Sequence, residues 1–577
     1  MTSKFIAATF AVLTVLSGAF AGVAVAGTAS AAPQDVSSCT VIDQSGEYQL
    51  SKDIVVTGPV SNFGCIEIAA DNVTLDGNGH TITRTTTVGP NAAIYTTAEN
   101  VEIRDLTVRG FRSGVYVGSL DGGDEMLDVE ISDATFEEND WGVRTIETLG
   151  VQVSDSTFEN NSYGISVFTE PDADNEYADF VFDSNTFVDN SRDIEADSTL
   201  VTVLDSEFTG SVFGVISDKG VVSVNNTYTG TSVAGINTGV SGPTAIDGYE
   251  SDALTLSLND TVVDNEGTGI VAAGTVAVVG ATVENNGGNG IDVGSKYEAE
   301  NSSEAVVVQS AIRSNDGDGV FVRPETDADL ATSMTIQSSV IADNGGLGVN
   351  VSDGNDIANA TGNYWGSADG PSSETTVALE DPYTGALANG SGDAVSEGAV
   401  ENVSNVHFDG SLEENPLLPD AYQIDVAAGE VIENLGVDGD DADDEKDFYG
   451  TQDRLLQSKT VVDDGTVTGS YNVPTGENVT KTLDGCAVTY TPVSYDAATG
   501  EATLSVSVAN DTGCENVTLT LAGYELPGDD TTFVRANADG QELVDYQTVT
   551  LSAGESATVT IDLSDEDTME TLLASLN

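Results

Sequence analysis

Positive charge is what this chain has least of: 17 Lys plus Arg stand against 96 Asp plus Glu, a formal net charge of −79 over 577 residues. Such a surface repels phosphate backbones and anionic bilayers, which excludes nucleic acid and membrane surfaces as partners. Histidine is nearly missing, with His80 and His407 alone, and there are only 4 Met. Soft-metal chemistry therefore has almost no ligands to work with. The 4 cysteines fall as two local pairs, Cys39 with Cys65 and Cys486 with Cys514, neither at Cys-x-x-Cys spacing. In an exported chain such pairs read as disulfides rather than as a zinc site. A long apolar run occurs at the N-terminus, where Phe5–Ala26 follows Lys4 and precedes Ala29-Ser30-Ala31. That layout predicts a signal peptide over residues 1–32, and the last residues, Leu572–Asn577, are too few to cross a bilayer. The expectation is a secreted or cell-surface protein with no membrane insertion after signal removal.

Disorder does not follow from the acidity, because 39% of residues are hydrophobic and the Val/Ile-rich runs are regular. The charge reads instead as adaptation to concentrated salt, where screening removes self-repulsion.

A short unit, Asn-x(2,3)-Gly-[Val/Ile], recurs after β-rich runs. It begins at Asn139, Asn161, Asn265, Asn286, Asn315 and Asn344, with a degenerate copy at Asn190–Asp193. Gly210 and Gly230 fall where further copies are expected. Steps of about 20 to 35 residues are the mark of a solenoid. Asn and Gly tolerate the left-handed backbone that a tight turn between strands needs. Apolar residues alternate at period two within each unit, as in Val101, Ile103, Leu106 and Val108. Strands repeating at coil spacing with no helical period between them predict a parallel β-helix over 33–420 of about 11–12 coils. The turn residues Asn139, Asn161, Asn190, Asn265, Asn286, Asn315 and Asn344 are expected to stack as a ladder.

Asn72-Val-Thr-Leu-Asp-Gly-Asn-Gly-His-Thr-Ile82, and Asn363-Tyr364-Trp365-Gly366 with Gly370-Pro371 and the later Asn415-Pro-Leu-Leu418, carry a resemblance. Together they resemble the right-handed parallel β-helix repeat proteins of the NosD-like, carbohydrate-binding and sugar-hydrolase group, over roughly 39–420. The resemblance implies a right-handed β-helix whose last coil is closed by Asn363, Tyr364, Trp365 and Gly366. It does not choose an activity, since the group contains enzymes, binders and maturation factors. Beyond it, Asp438-Gly-Asp-Asp-Ala-Asp-Asp-Glu predicts an acidic linker over 421–460, and short strands with turn signals predict an antiparallel β-sandwich over 461–577. The fold class is thus all-β.

Coils lengthen at one phase of the repeat, at 118–127, 169–179, 237–253, 295–304 and 323–331, which lines the insertions along one edge. Tyr177, Tyr249 and Tyr297 lie in them and are candidates for stacking on sugar rings, with Arg109 and Arg112 as candidate clamps for an anionic glycan. Hard cations are the one cofactor class admitted. Asp438, Asp440, Asp443 and Asp444 have the alternate spacing of a Ca²⁺ loop without its closing Glu. Two readings follow: a cell-surface or extracellular glycan-binding or structural module, or a polysaccharide lyase or glycoside hydrolase working in the loop-lined groove.

Overall fold

In a computed structural model the described residues run from 32 to 563, without 59–62, 86–90, 119–124, 170–179, 239–252, 295–302, 324–331, 353–356, 414, 418–420, 433–448, 450, 451, 453, 463–465, 474–477, 484, 497–500, 511–513, 515 and 527–540. The signal-peptide segment, Tyr177, Tyr249, Tyr297 and the acidic run with Asp438, Asp440, Asp443 and Asp444 lie outside them. The described residues contain strands and no helix. The chain divides after Leu417 into two compact units.

The first unit is a parallel β-helix. A 24-stranded and a 15-stranded sheet, both parallel, carry its coils. The larger sheet holds two strand columns per coil, so each coil has three faces. On the first face Val73, Val101, Val129 and Val151 stack in register; on the second, Thr107, Thr135 and Thr157. On the third, Val115, Val143 and Ile165 stack. The period-two alternation sends one set inward: Leu75, Ile103 and Ile131 on the first face and Ile94, Val115 and Val143 on the third are at most 1% exposed. The second face contributes an internal aromatic column. Phe136, Phe158, Phe187, Phe208 and Tyr228 stack face to face with centroids 4.5 to 5.0 Å apart.

In the coils that carry it, that column explains the recurring glycine, whereas Gly269, Gly290 and Gly319 meet the next coil's carbonyl and ladder asparagine. A Cβ at Gly142 would lie 2.6 Å from Phe158 Cδ1, and one at Gly164 would lie 2.9 Å from Phe187 Cδ1. In those coils the glycine is there to admit a ring. The left-handed residue of the turn falls elsewhere, one position before the ladder asparagine, at Glu138, Asn160, Asp189, Gly210, Gly230, Asp264, Asn285, Ser314 and Asp343. Gly210 and Gly230 are therefore turn residues, and Ser211 and Thr231 take the ladder positions after them. Where Asp193 replaces the glycine, its side chain is buried and accepts from Asn190 Nδ2 at 2.9 Å and Ser211 Oγ at 2.6 Å.

The ladder itself is continuous above and below that point. Asn139 Nδ2 donates to Asn161 Oδ1 (3.2 Å), Asn161 to Asn190 (3.1 Å), Asn265 to Asn286 (2.8 Å), Asn286 to Asn315 (2.8 Å) and Asn315 to Asn344 (2.9 Å). Asn344 ends it on Asp393 Oδ2 at 2.8 Å. A second ladder runs down the corner between the first and second faces through Asn185, Ser206, Asn226 and Asp260, then Ser310, Ser339 and Asn363. These chains satisfy backbone donors that the corner turns would otherwise bury unpaired. Tyr364 bridges Val340 of the last full coil, and Trp365 is wholly buried against Gly348 in the core. Gly366 has φ +84, a conformation in which a side chain would be strained. Cys39 and Cys65 are bonded at the first coils of the third face.

The second unit packs two antiparallel five-stranded sheets, with Cys486 bonded to Cys514. In one sheet Ala421–Ala428 lies between Leu455–Val462 and Asn516–Glu525 and pairs with both. Both ends of the segment expected to be a linker over 421–460 are thus strands of the sandwich. Ala421–Ala428 is buried along almost its whole length, on both faces, so no alternation marks it.

Candidate functional site

The outward positions of the third face gather the chemistry. In the repeat unit, the residue before the glycine and the residue two after it point outward on neighbouring strands. Register places Ser113, Trp141, Tyr163 and Arg192 in one column, and Tyr95, Tyr116, Arg144, Ser166 and Glu195 in the next. Trp141 stacks on Tyr163 with centroids 5.7 Å apart and 19° between planes. Phe63, Tyr95 and Tyr116 cluster at one end, Phe63 edge-on to Tyr116 and the other two pairs tilted.

Guanidinium groups lie over these rings. Arg144 sits 4.2 Å from the Trp141 ring centroid and 5.9 Å from that of Tyr116; Arg112 is 5.4 Å from Trp141, and Arg192 is 5.2 Å from Tyr163. Such contacts are worth about 0.5 to 2 kcal/mol each, more where water is excluded. Burial pushes the Arg144 guanidinium down from its usual value and the Tyr116 phenol up. Among the described residues no carboxylate pairs with Arg144.

Beside this strip stand carboxyl groups in unusual states. Glu195 is ion-paired with Arg192, which also donates to Tyr163 Oη at 3.3 Å. Burial nevertheless raises the Glu195 carboxyl, with the Arg192 charge opposing it, and burial raises Asp197 as well. Asp218, one coil on, is pushed up to about 6 by burial while accepting from Ser198 N at 2.7 Å. No group of three or more His, Cys, Asp or Glu able to hold a metal occurs among the described residues.

The two arginines singled out in sequence part company. Arg109 faces outward from the second face, bonded to Glu138 at 2.7 and 3.1 Å, with Glu137 at 3.6 Å. Arg104 is on the first face with Asp76 and Glu102. Arg112 alone joins the aromatic strip. Gly110, at φ +77, turns the chain between Arg109 and Arg112. Sequence does not single out Trp141 and Tyr163, and it offers Arg144 and Arg192 only among the few basic residues of the coils, although each occupies a fixed place relative to the repeated glycine.

No family model matches the chain, and none of the curated proteins does. Among solved structures it is similar to the A-module of a mannuronan C-5 epimerase of Azotobacter vinelandii, at 17% identity and a TM-score of 0.38, covering 64% of this chain and 88% of that one. It is also similar to a mutant tailspike protein of E. coli bacteriophage HK620 in complex with a pentasaccharide, at 10% identity and a TM-score of 0.35, covering 89% and 86%. At such TM-scores these likenesses assign no family and no activity to this chain.

Proposed function

We propose that this is an exported, salt-adapted β-helix protein that binds an anionic glycan along the outward strip of its third face. One observation carries the reading: Arg144 is half-buried against Trp141 and Tyr116 with no carboxylate partner among the described residues, in a chain with 96 acids. A guanidinium offsetting neighbouring acids would be paired, as Arg109, Arg104 and Arg313 are. An unpaired one held over rings is preorganised for a planar anion such as a uronate or sulfate. The rings of Trp141 and Tyr163 offer an apolar floor for sugar faces, and Arg112 and Arg192 flank it. Aromatic walls with few convergent polar groups are the usual make-up of a ligand site.

A second reading has its own observation. Glu195 and Asp197 near Arg192, and Asp218 one coil on, have carboxyl groups raised by burial, the direction a general acid for cleaving a glycosidic bond needs. Under that reading Asp218 holds the proton for the leaving oxygen.

The test is a screen of the mature protein in multimolar salt against neutral and anionic polysaccharides, scored for binding and for release of chain ends. Binding of an anionic glycan, weakened about tenfold or more by Trp141→Ala, is expected. Retention of no anionic polysaccharide, or binding indifferent to Trp141→Ala, would overturn the proposal. Release of reducing or unsaturated ends that Asp218→Asn abolishes would move the assignment to the enzymatic reading.

A further inference from the structure

The outward strip of the third face changes sign along the solenoid axis. Its first coils carry cations. Arg112 is exposed, Arg144 is half-buried, and both lie over Trp141. Neither is ion-paired with a carboxylate among the described residues. Two coils further on the charge is negative. Register carries the Arg144 column through Ser166 to Glu195, and the column beside it through Phe168 to the exposed Asp197. Among the described residues Arg192 is the one cation acting on these two acids, and it is ion-paired with Glu195. Tyr163 stands between the two ends, its ring stacked on Trp141.

The two ends ask for different groups. A guanidinium over a ring and without a carboxylate partner is open to an anion. A carboxylate accepts hydrogen bonds from hydroxyls and repels a second anion at contact. Glu195 already answers the charge of Arg192, so that arginine offers no second anion seat. Arg144 and Glu195 are two coils apart, about 10 Å along the axis, or about two sugar rings of an extended chain.

We infer that the ligand is a glycan whose anionic sugars are separated by neutral ones. An anionic sugar sits at Arg112 and Arg144, and the neutral sugar that follows gives its hydroxyls to Glu195 and Asp197. This rests on the glycan-binding reading above and adds to it the spacing of charge. A polymer charged on every sugar brings a carboxylate against Glu195 and Asp197, where like charges meet with no donor between them. Molar salt, with a Debye length of about 3 Å, does not screen a clash at contact. Glu195 and Asp197 thus determine specificity: they hold neutral sugar and turn away dense charge.

Polygalacturonate and alginate carry a carboxylate on every sugar, and partial methyl esterification removes charges while leaving each backbone unchanged. Affinities of the mature chain for these four polymers, measured in multimolar KCl, test the inference. The parent protein is expected to bind the partly esterified form of a retained polymer about tenfold or more tightly than its fully charged form. Glu195→Gln, which removes the repelling charge and frees Arg192, is expected to improve binding of the fully charged form about tenfold and so to close the gap. Asp197 is exposed, so Asp197→Asn supplies the same comparison should Glu195→Gln fail to fold. Equal or tighter binding of the fully charged forms by the parent, or folded variants that keep the parent's ratio, would overturn the inference and leave the glycan-binding reading standing. Retention of none of the four polymers, by parent or variants, would overturn both.

Discussion

Asp260 is a carboxyl where the fold asks for an amide. It occupies a rung of the second corner ladder, accepting from Asn226 N at 2.8 Å, and its other oxygen accepts from Ser257 Oγ at 2.6 Å. Burial holds its pKa up at about 6 against an ordinary value of 3.8. The folded state therefore binds this proton more tightly than the unfolded chain does. Its contribution is fully present below about pH 4 and is lost as pH rises through about 6. The rise, at about 1.4 kcal/mol per tenfold change in proton affinity, is worth about 3 kcal/mol, all of it forfeited at pH 7. Asp260→Asn removes the titration and keeps the geometry, since Asn185, Asn226 and Asn363 fill equivalent rungs. The variant should be more stable than the parent by up to about 3 kcal/mol at pH 7, with the advantage shrinking toward zero near pH 4. Denaturant unfolding at constant high salt, followed at both pH values, measures the difference directly. Other acids titrate in both proteins and cancel in that difference. A gap between variant and parent that is the same at pH 4 and pH 7, or a variant less stable at pH 7, would refute the reasoning.

Two further perturbations probe the solenoid. Phe187→Ala removes a fully buried ring stacked 4.9 and 4.8 Å from its neighbours, and should destabilise the β-helix by about 4 kcal/mol, against about 1 kcal/mol for Phe187→Leu, by thermal melts of both. Opening the Cys39–Cys65 bond, which closes a span of 26 residues, should lower stability by about 3.5 kcal/mol in the chain-entropy account, read as a shift in the denaturation midpoint with and without reductant.

The solenoid was legible because its periodicities are local: alternation within a strand, and a repeated Asn and Gly between strands. The reason for the glycine was not, since it depends on rings, carbonyls and ladder asparagines that arrive from the following coil. Phe187 is 23 residues from the Gly164 it covers, and no pattern within a single turn connects them. The same distance hid the site. Trp141 and Tyr163 become one surface only when coils stack at a register that sequence does not print. Arg109 and Arg112, three residues apart, look like one cluster until Gly110 turns them onto different faces. The strand Ala421–Ala428 was hidden in another way, because a segment buried on both faces loses the alternation that identifies a strand.

Net charge and the third-face strip bear on each other. With a Debye length of about 3 Å in molar salt, the 96 acids exert little force beyond contact distance, and neither do the few arginines. Long-range steering of an anionic ligand is therefore not available to this protein in concentrated brine. Whatever Arg112, Arg144 and Arg192 contribute must come at contact, from guanidinium groups lying over Trp141, Tyr116 and Tyr163. The rings supply the part of binding that salt strengthens, since apolar contacts gain as salt rises. Arg144 shows how such a cation is kept at the surface, over Trp141 with no carboxylate partner among the described residues, whereas Arg192 sits over Tyr163 and is ion-paired with Glu195.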